Sequence, residues 1–199
     1  MKITRVTLLF LFCTSANYAA AGDFHFHGVT LAVPAAFDGP MGAKPNPAAE
    51  VAGFAVPGTP GVPTDTLQIS RIQVTGKIPD QIDSERFQTL SKYLLNMLAA
   101  VERRRTAYSQ TQPEQVHLGH RLAVRASWKG KAQDFEVNGV VYCVLVGSGI
   151  VLIYTSGPGE RPDEQQMLAI KAVNSLSIGT NTVATAESVS MRPPITPKP

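Results

Sequence analysis

The spacing of apolar and polar positions along this chain predicts a run of strands, two helices and two ends without regular structure. From Gly22 to Pro34 the alternation is that of a strand, with Phe24 and Phe26 on one face and His25 and His27 on the other. Residues 38–63 are dense in Gly, Pro and Ala, and read as a long surface loop carrying one short edge strand, Val51 to Val56. Thr66 to Thr75 is a further strand. A helix follows, with Asp83 or Ser84 as cap and Phe87, Leu90, Leu94, Leu98 and Val101 at three-to-four spacing. Arg103, Arg104 and Arg105 close it, where cations suit the negative end of the helix dipole. Pro113 falls in the loop beyond.

A meander comes next. Between Val116 and Trp128, Leu122, Val124, Ala126 and Trp128 alternate with Arg121, Arg125 and Ser127. Lys129-Gly130 reads as a turn, and Asn138-Gly139 as a type I′ hairpin turn, since both residues tolerate positive φ. Val140 to Val146 and Ile150 to Thr155, joined by Gly147-Ser148-Gly149, are apolar on both faces. A strand with one wet face would alternate, so this sheet is expected to be covered on both sides, by the two helices. The second helix starts after Pro162 with Asp163 as cap, buries Met167, Ile170, Val173 and Leu176, and ends at Gly179. From Thr180 the chain is Ser/Thr-rich and then Pro-rich, and residues 180–199 are expected to be disordered.

The first residues change the picture of compartment. Lys2 and Arg5, an apolar run from Val6 to Phe12 and the small-residue stretch ending Ala19-Ala20-Ala21 have the order of a cleavable secretory signal over residues 1–21. The run is too short to span a bilayer, which takes roughly 20 residues. Phe12 before Cys13 argues against lipidation. Losing Lys2 and Arg5 leaves 16 basic residues against 15 acidic ones, so a mature chain from Gly22 is nearly neutral. Such a balance gives no electrostatic case for nucleic acid. Only Cys143 then remains, which excludes an internal disulfide. One domain, 22–179, standing on its core alone, is the expectation.

The segments FHFHGVTLAVPAAF, VHLGHRLAVRASW, VVYCVLVGSGIVLIYTSG and MLAIKAVNSLSI, in that order, resemble the PsbP-like superfamily, whose members include bacterial DcrB-type envelope proteins. The resemblance implies an α+β fold, an antiparallel sheet flanked by helices on both faces in an α/β/α sandwich. It implies a binding or accessory role, and it transfers no catalytic residue. The Gly/Pro-rich stretch before Thr64 and the Pro-rich tail depart from the compact pattern.

Candidate chemistry is sparse. His25 and His27 on one strand face offer two metal ligands and no third. Cleavage after Gly22 instead would leave Asp23-Phe24-His25 as an amino terminus suited to square-planar Cu(II). His117 and His120 point to opposite faces of an extended segment. Cys143 lies mid-strand in a covered sheet, where a thiol is inert. Ser148 sits in a hairpin, not in the strand-to-helix turn of a nucleophile elbow. Gly157-Pro158-Gly159 lacks the Lys-Ser/Thr of a phosphate loop. Arg103, Arg104, Arg105, Arg121 and Arg125 form a candidate basic patch for an acidic partner or lipid headgroups. The reading is a periplasmic or secreted accessory protein, not an enzyme, without cofactor, nucleic acid or membrane span, docking on a protein partner, with an immunity-type protein as its narrower version. The alternative is a metal- or small-molecule-binding module using His25 and His27 or a pocket between sheet and helix.

Overall fold

A computed structural model describes residues 22–46, 49–74 and 83–179. The signal at 1–21 and the tail at 180–199 lie outside the described residues. The architecture is α+β, mostly antiparallel sheet with two helices. The first expected strand is in fact a hairpin of β1 (Asp23–Phe26) and β2 (Val29–Ala32), with Phe26 opposite Val29. His27 and Gly28 form its turn, with φ of 47° and 83°. Positive φ at both central positions is what a tight hairpin turn requires. β11 (Ser177–Ile178) adds to β2, making a three-stranded sheet.

The larger sheet runs in the order β3 (Asp38–Asn46), β4 (Ala49–Ala55), β5 (Thr66–Gln73), β10 (Gly149–Pro158), β9 (Phe135–Val146), β8 (Arg121–Ala132), β6 (Thr106–Gln110), with β7 (Glu114–Leu118) also on β8. Much of the expected loop 38–63 is thus strand, and β4 is flanked by β3 and β5. The edge is β3, where Gly and Pro are tolerated because one side of the strand needs no donors. Its register with β4 shifts twice. β6 was hidden in the sequence because it is mostly exposed and polar. Val116 to Trp128 is not one strand, since it turns at Gly119, φ 59°, so that Leu118 faces Arg121.

Two expected turns are strand interior. β8 continues through Lys129-Gly130, which pair with Asn138 and Val137, and the chain turns at Gln133, φ 56°, and Asp134. Asn138-Gly139 therefore lies inside β9. Gly139 is needed there for space. A Cβ would fall 2.5 Å from Nε1 and 2.6 Å from Cε2 of Trp128, and onto the Thr155 carbonyl. The Gly147-Ser148 hairpin between β9 and β10 forms as expected, Val146 facing Gly149.

α1 (Asp83–Glu102) buries Leu90, Leu94, Met97, Leu98 and Val101. They cluster with Leu122, Val124, Ala126 and Trp128 of β8, Val137, Val141 and Cys143 of β9, and Ile150, Leu152 and Tyr154 of β10. α2 (Glu164–Asn174) clusters through Ala169, Ala172 and Val173 with the alternate positions Ala123, Val140, Tyr142, Val144, Val151 and Ile153, and with Val29 and Leu31 of β2. Its buried face is the expected one only in part, for Val173 and Leu176 are buried as the spacing predicts. Met167 is 52% exposed and Ile170 is only partly buried, while Gln166 is fully buried. Alanines seat this helix against the sheet, and a search for large apolar residues looks past them. The helix ends at Asn174 with Ser175 as cap, before Gly179. Gly179 instead donates its N–H to the Gly28 carbonyl at 2.8 Å, extending the small sheet.

Candidate functional site

The arginines fall into two groups. Arg103, Arg104 and Arg105 wind off the end of α1, with N–H bonds to the carbonyls of Ala99, Val101 and Glu102. The Arg105 guanidinium lies 5.7 Å over the Trp128 ring. That ring also stacks with Tyr108 and with Tyr154, at 6.3 and 5.7 Å. A cation over an aromatic face is held by the ring quadrupole. Arg105 Nη1 also donates to the Arg104 carbonyl at 3.0 Å, while its buried Nε has no partner. Beside it opens a cavity of about 340 Å³, lined by Gly61, Val62, Pro63, Arg104, Arg105, Ala132 and Gln133. No acidic side chain lines it. Burial pushes the Tyr108 phenol up to about 12, with Glu102 and Tyr154 adding to the effect.

Arg121 and Arg125 are elsewhere. Gly130, whose Cβ would lie 3.2 Å from Arg105 Cβ, is five residues along β8 from Arg125. At the rise of a strand that is about 17 Å. Arg125 also belongs to the alternation opposite Trp128. It donates from Nε and Nη2 to Glu114 Oε1 at 2.8 and 2.6 Å, and this bond raises its pKa further. Arg121 lies four residues further still. The structure does not assemble the five into one patch.

The histidines are also dispersed. His25 Nδ1 meets Thr30 Oγ1 at 2.9 Å on the hairpin partner strand, and His27 Nε2 meets Glu50 Oε2 of β4 at 2.5 Å. His117 is on β7, and His120 is in the turn after it. Among the described residues no group of three His, Cys, Asp or Glu is placed to hold a metal. Cys143 is fully buried, and that burial pushes its thiol far up. Ser148 is in the β9–β10 turn.

One buried polar group escaped the sequence. Asp65, 5% exposed, precedes β5 in a stretch that reads as turn. Thr66 pairs with Ser156 across the sheet, which brings Asp65 against Gly157 and the start of α2. There Asp163 caps the helix, accepting from the Gln166 N–H at 2.9 Å. Burial, and then contact with Asp163, push Asp65 up to about 7. The Asp163 cap was legible from its place after Pro162. Its meeting with Asp65 depends on sheet pairing, for which no local signal exists.

No known family profile and no curated protein matches the sequence. Solved structures do match. Cyanobacterial PsbP (CyanoP) from Synechocystis sp. PCC 6803 aligns over 84% of this chain and 97% of its own, with TM-score 0.57 and 9% identity. LpqN, involved in cell envelope biogenesis of Mycobacterium tuberculosis, aligns over 76% and 83%, with TM-score 0.47 and 14% identity. A Bacteroides thetaiotaomicron protein aligns over 77% of this chain at TM-score 0.46 and 9% identity, and the chain spans 46% of that protein's length. The chain has a PsbP-like fold.

Proposed function

We propose that this chain is an exported, non-catalytic accessory protein, periplasmic or secreted, that docks on an acidic surface of a protein partner through the C-terminal end of α1. In this reading the mature domain, 22–179, is an α/β/α sandwich with α1 covering one face of the large sheet and α2 the other. The observation that carries it is the concave site lined by Arg104 and Arg105, which has no acidic residue in its lining and whose Arg105 is held over the buried Trp128 ring. Arginine is enriched among the residues that anchor interfaces. The fold likeness supports a small domain of this kind without assigning it a task. No helix among the described residues is long and apolar enough to cross a membrane. The test is capture from envelope extract with wild-type protein and with an Arg104→Glu/Arg105→Glu double variant. A partner held by the wild type and lost in the variant is expected. A partner held equally by both, or repeated failure to recover any, removes the reading.

A further inference from the structure

The start of α2 holds more hydrogen-bond acceptors than donors. Asp65 and Gln166, 5% and 0% exposed, approach each other across Gly157. Both nitrogens of Gln166 are engaged, the side-chain amide donating to the Asn138 carbonyl at 3.4 Å and the backbone N–H to Asp163 Oδ1 at 2.9 Å. The hydroxyls of Thr66 and Ser156 are bonded to each other at 2.8 Å. What remains is Asp65 Oδ1 and Gln166 Oε1, two buried oxygens without a donor. Both are aimed at the same place, since a Cβ on Gly157 would run into the first and lie 2.9 Å from the second. Asp163 completes the group and is the one charged residue acting on Asp65.

Buried acceptors left without a donor are costly and rare. A carboxylate only accepts, whereas a protonated carboxyl supplies one O–H donor. One hydrogen on Asp65 therefore resolves the mismatch. A cation fits less well, because the N-terminal end of a helix is its positive pole. We propose that Asp65, Asp163 and Gln166 bind a single proton between them, and that this proton latches the first turn of α2 to the sheet. Its loss leaves the Asp65 carboxylate against that of Asp163 and loosens the turn that carries Met167 and Leu168, already 52% and 41% exposed. The latch is independent of the docking end of α1. The upward displacement of Asp65 noted above agrees with it and puts release of the proton near neutral pH.

Carboxyl-carbon NMR of the full chain, from about pH 4 to about pH 9, read together with amide exchange in α2, tests this. Asp65 is expected to titrate well above the ordinary aspartate range. Protection of the Gln166 and Met167 amides, corrected for intrinsic base catalysis, is expected to fall by up to about tenfold per pH unit as pH rises from the ordinary aspartate range toward that midpoint, and to level off above it. Asp65→Asn, an isostere that carries its own donor, should abolish that fall. Titration of Asp65 in the ordinary range, or the same fall in Asp65→Asn, overturns the proposal. So does a midpoint set by sodium or potassium and not by tetramethylammonium, which would make the occupant a cation. Should Asp65→Asn fail to fold, Asp163→Ser keeps a capping oxygen and removes the neighbouring charge. The Asp65 midpoint then drops if the pair shares the proton, and its staying in place overturns the sharing.

Discussion

The two helices are held to the sheet by different physics. α1 presents Leu90, Leu94, Met97, Leu98 and Val101, and the buried residues of its cluster are apolar apart from the tips of Trp128 and Tyr154 and the sulfurs of Met97 and Cys143. α2 presents Ala169, Ala172 and Val173, and at its first turn Gln166 and the Asp163 cap meet Asp65. Large side chains hold a helix by the area they remove from water, a force that ignores pH. Small ones remove less, so a polar contact makes up a greater share of the attachment and brings its titration with it. Two helices packed on one sheet can thus differ in whether their attachment depends on a proton.

The largest expected effect is on the α1 side. Leu98→Ala, at a fully buried position, should cost about 2–5 kcal/mol in chemical denaturation, by the same amount at acid and at neutral pH. A loss that depended on pH would erase the contrast. Next is the proton dependence of the α2 side. Folded Asp65 holds a proton up to about pH 7, while in the unfolded chain it loses it near its ordinary value of 3.8. Between those values the folded state binds more protons, so stability falls as pH rises through the window and is level above it. The fall attributable to Asp65 is at most about 4 kcal/mol. Denaturation curves across the window for wild type and Asp65→Asn measure it, and parallel curves would contradict it.

A smaller loss, about 1 kcal/mol, is expected for Asp163→Ala in thermal melts at acid pH, where the cap is the contact removed. Asp163→Ser should recover most of it. The smallest belongs to the exposed pair between Glu114 and Arg125, where Glu114→Gln should change stability by less than about 1 kcal/mol. A larger loss there would mean that polarity alone, without burial, sets the α2 side apart.

What the sequence disclosed was what is local. The stripe of α1, the Asp163 cap and the Gly147-Ser148 hairpin each depend on residues a few positions apart, and each formed. Asn138-Gly139 carries as strong a turn signal as any in the chain, yet it is strand, because Trp128 and Thr155 occupy the space that a glycine alone leaves free. That requirement comes from strands on either side and has no trace in the dipeptide. The His27-Gly28 turn is hidden for the opposite reason, since the apolar alternation on both sides of it looks continuous. Of the candidate site, the arginines at the end of α1 were visible as a run, whereas their separation from Arg125 follows from the alternation of β8. The meeting of Asp65 with Gln166 rests wholly on the pairing of β5 with β10.

Cys143 sits opposite Val124 on one neighbouring strand and Leu152 on the other. No reagent can touch its sulfur until α1 lifts away or the centre of the sheet comes apart. Alkylation of this one atom therefore acts as a clock for whole-domain opening, blind to fraying at the edges. The same enclosure keeps the folded domain from exchanging disulfides with its surroundings, so any cross-linked species formed through Cys143 marks molecules that had opened first.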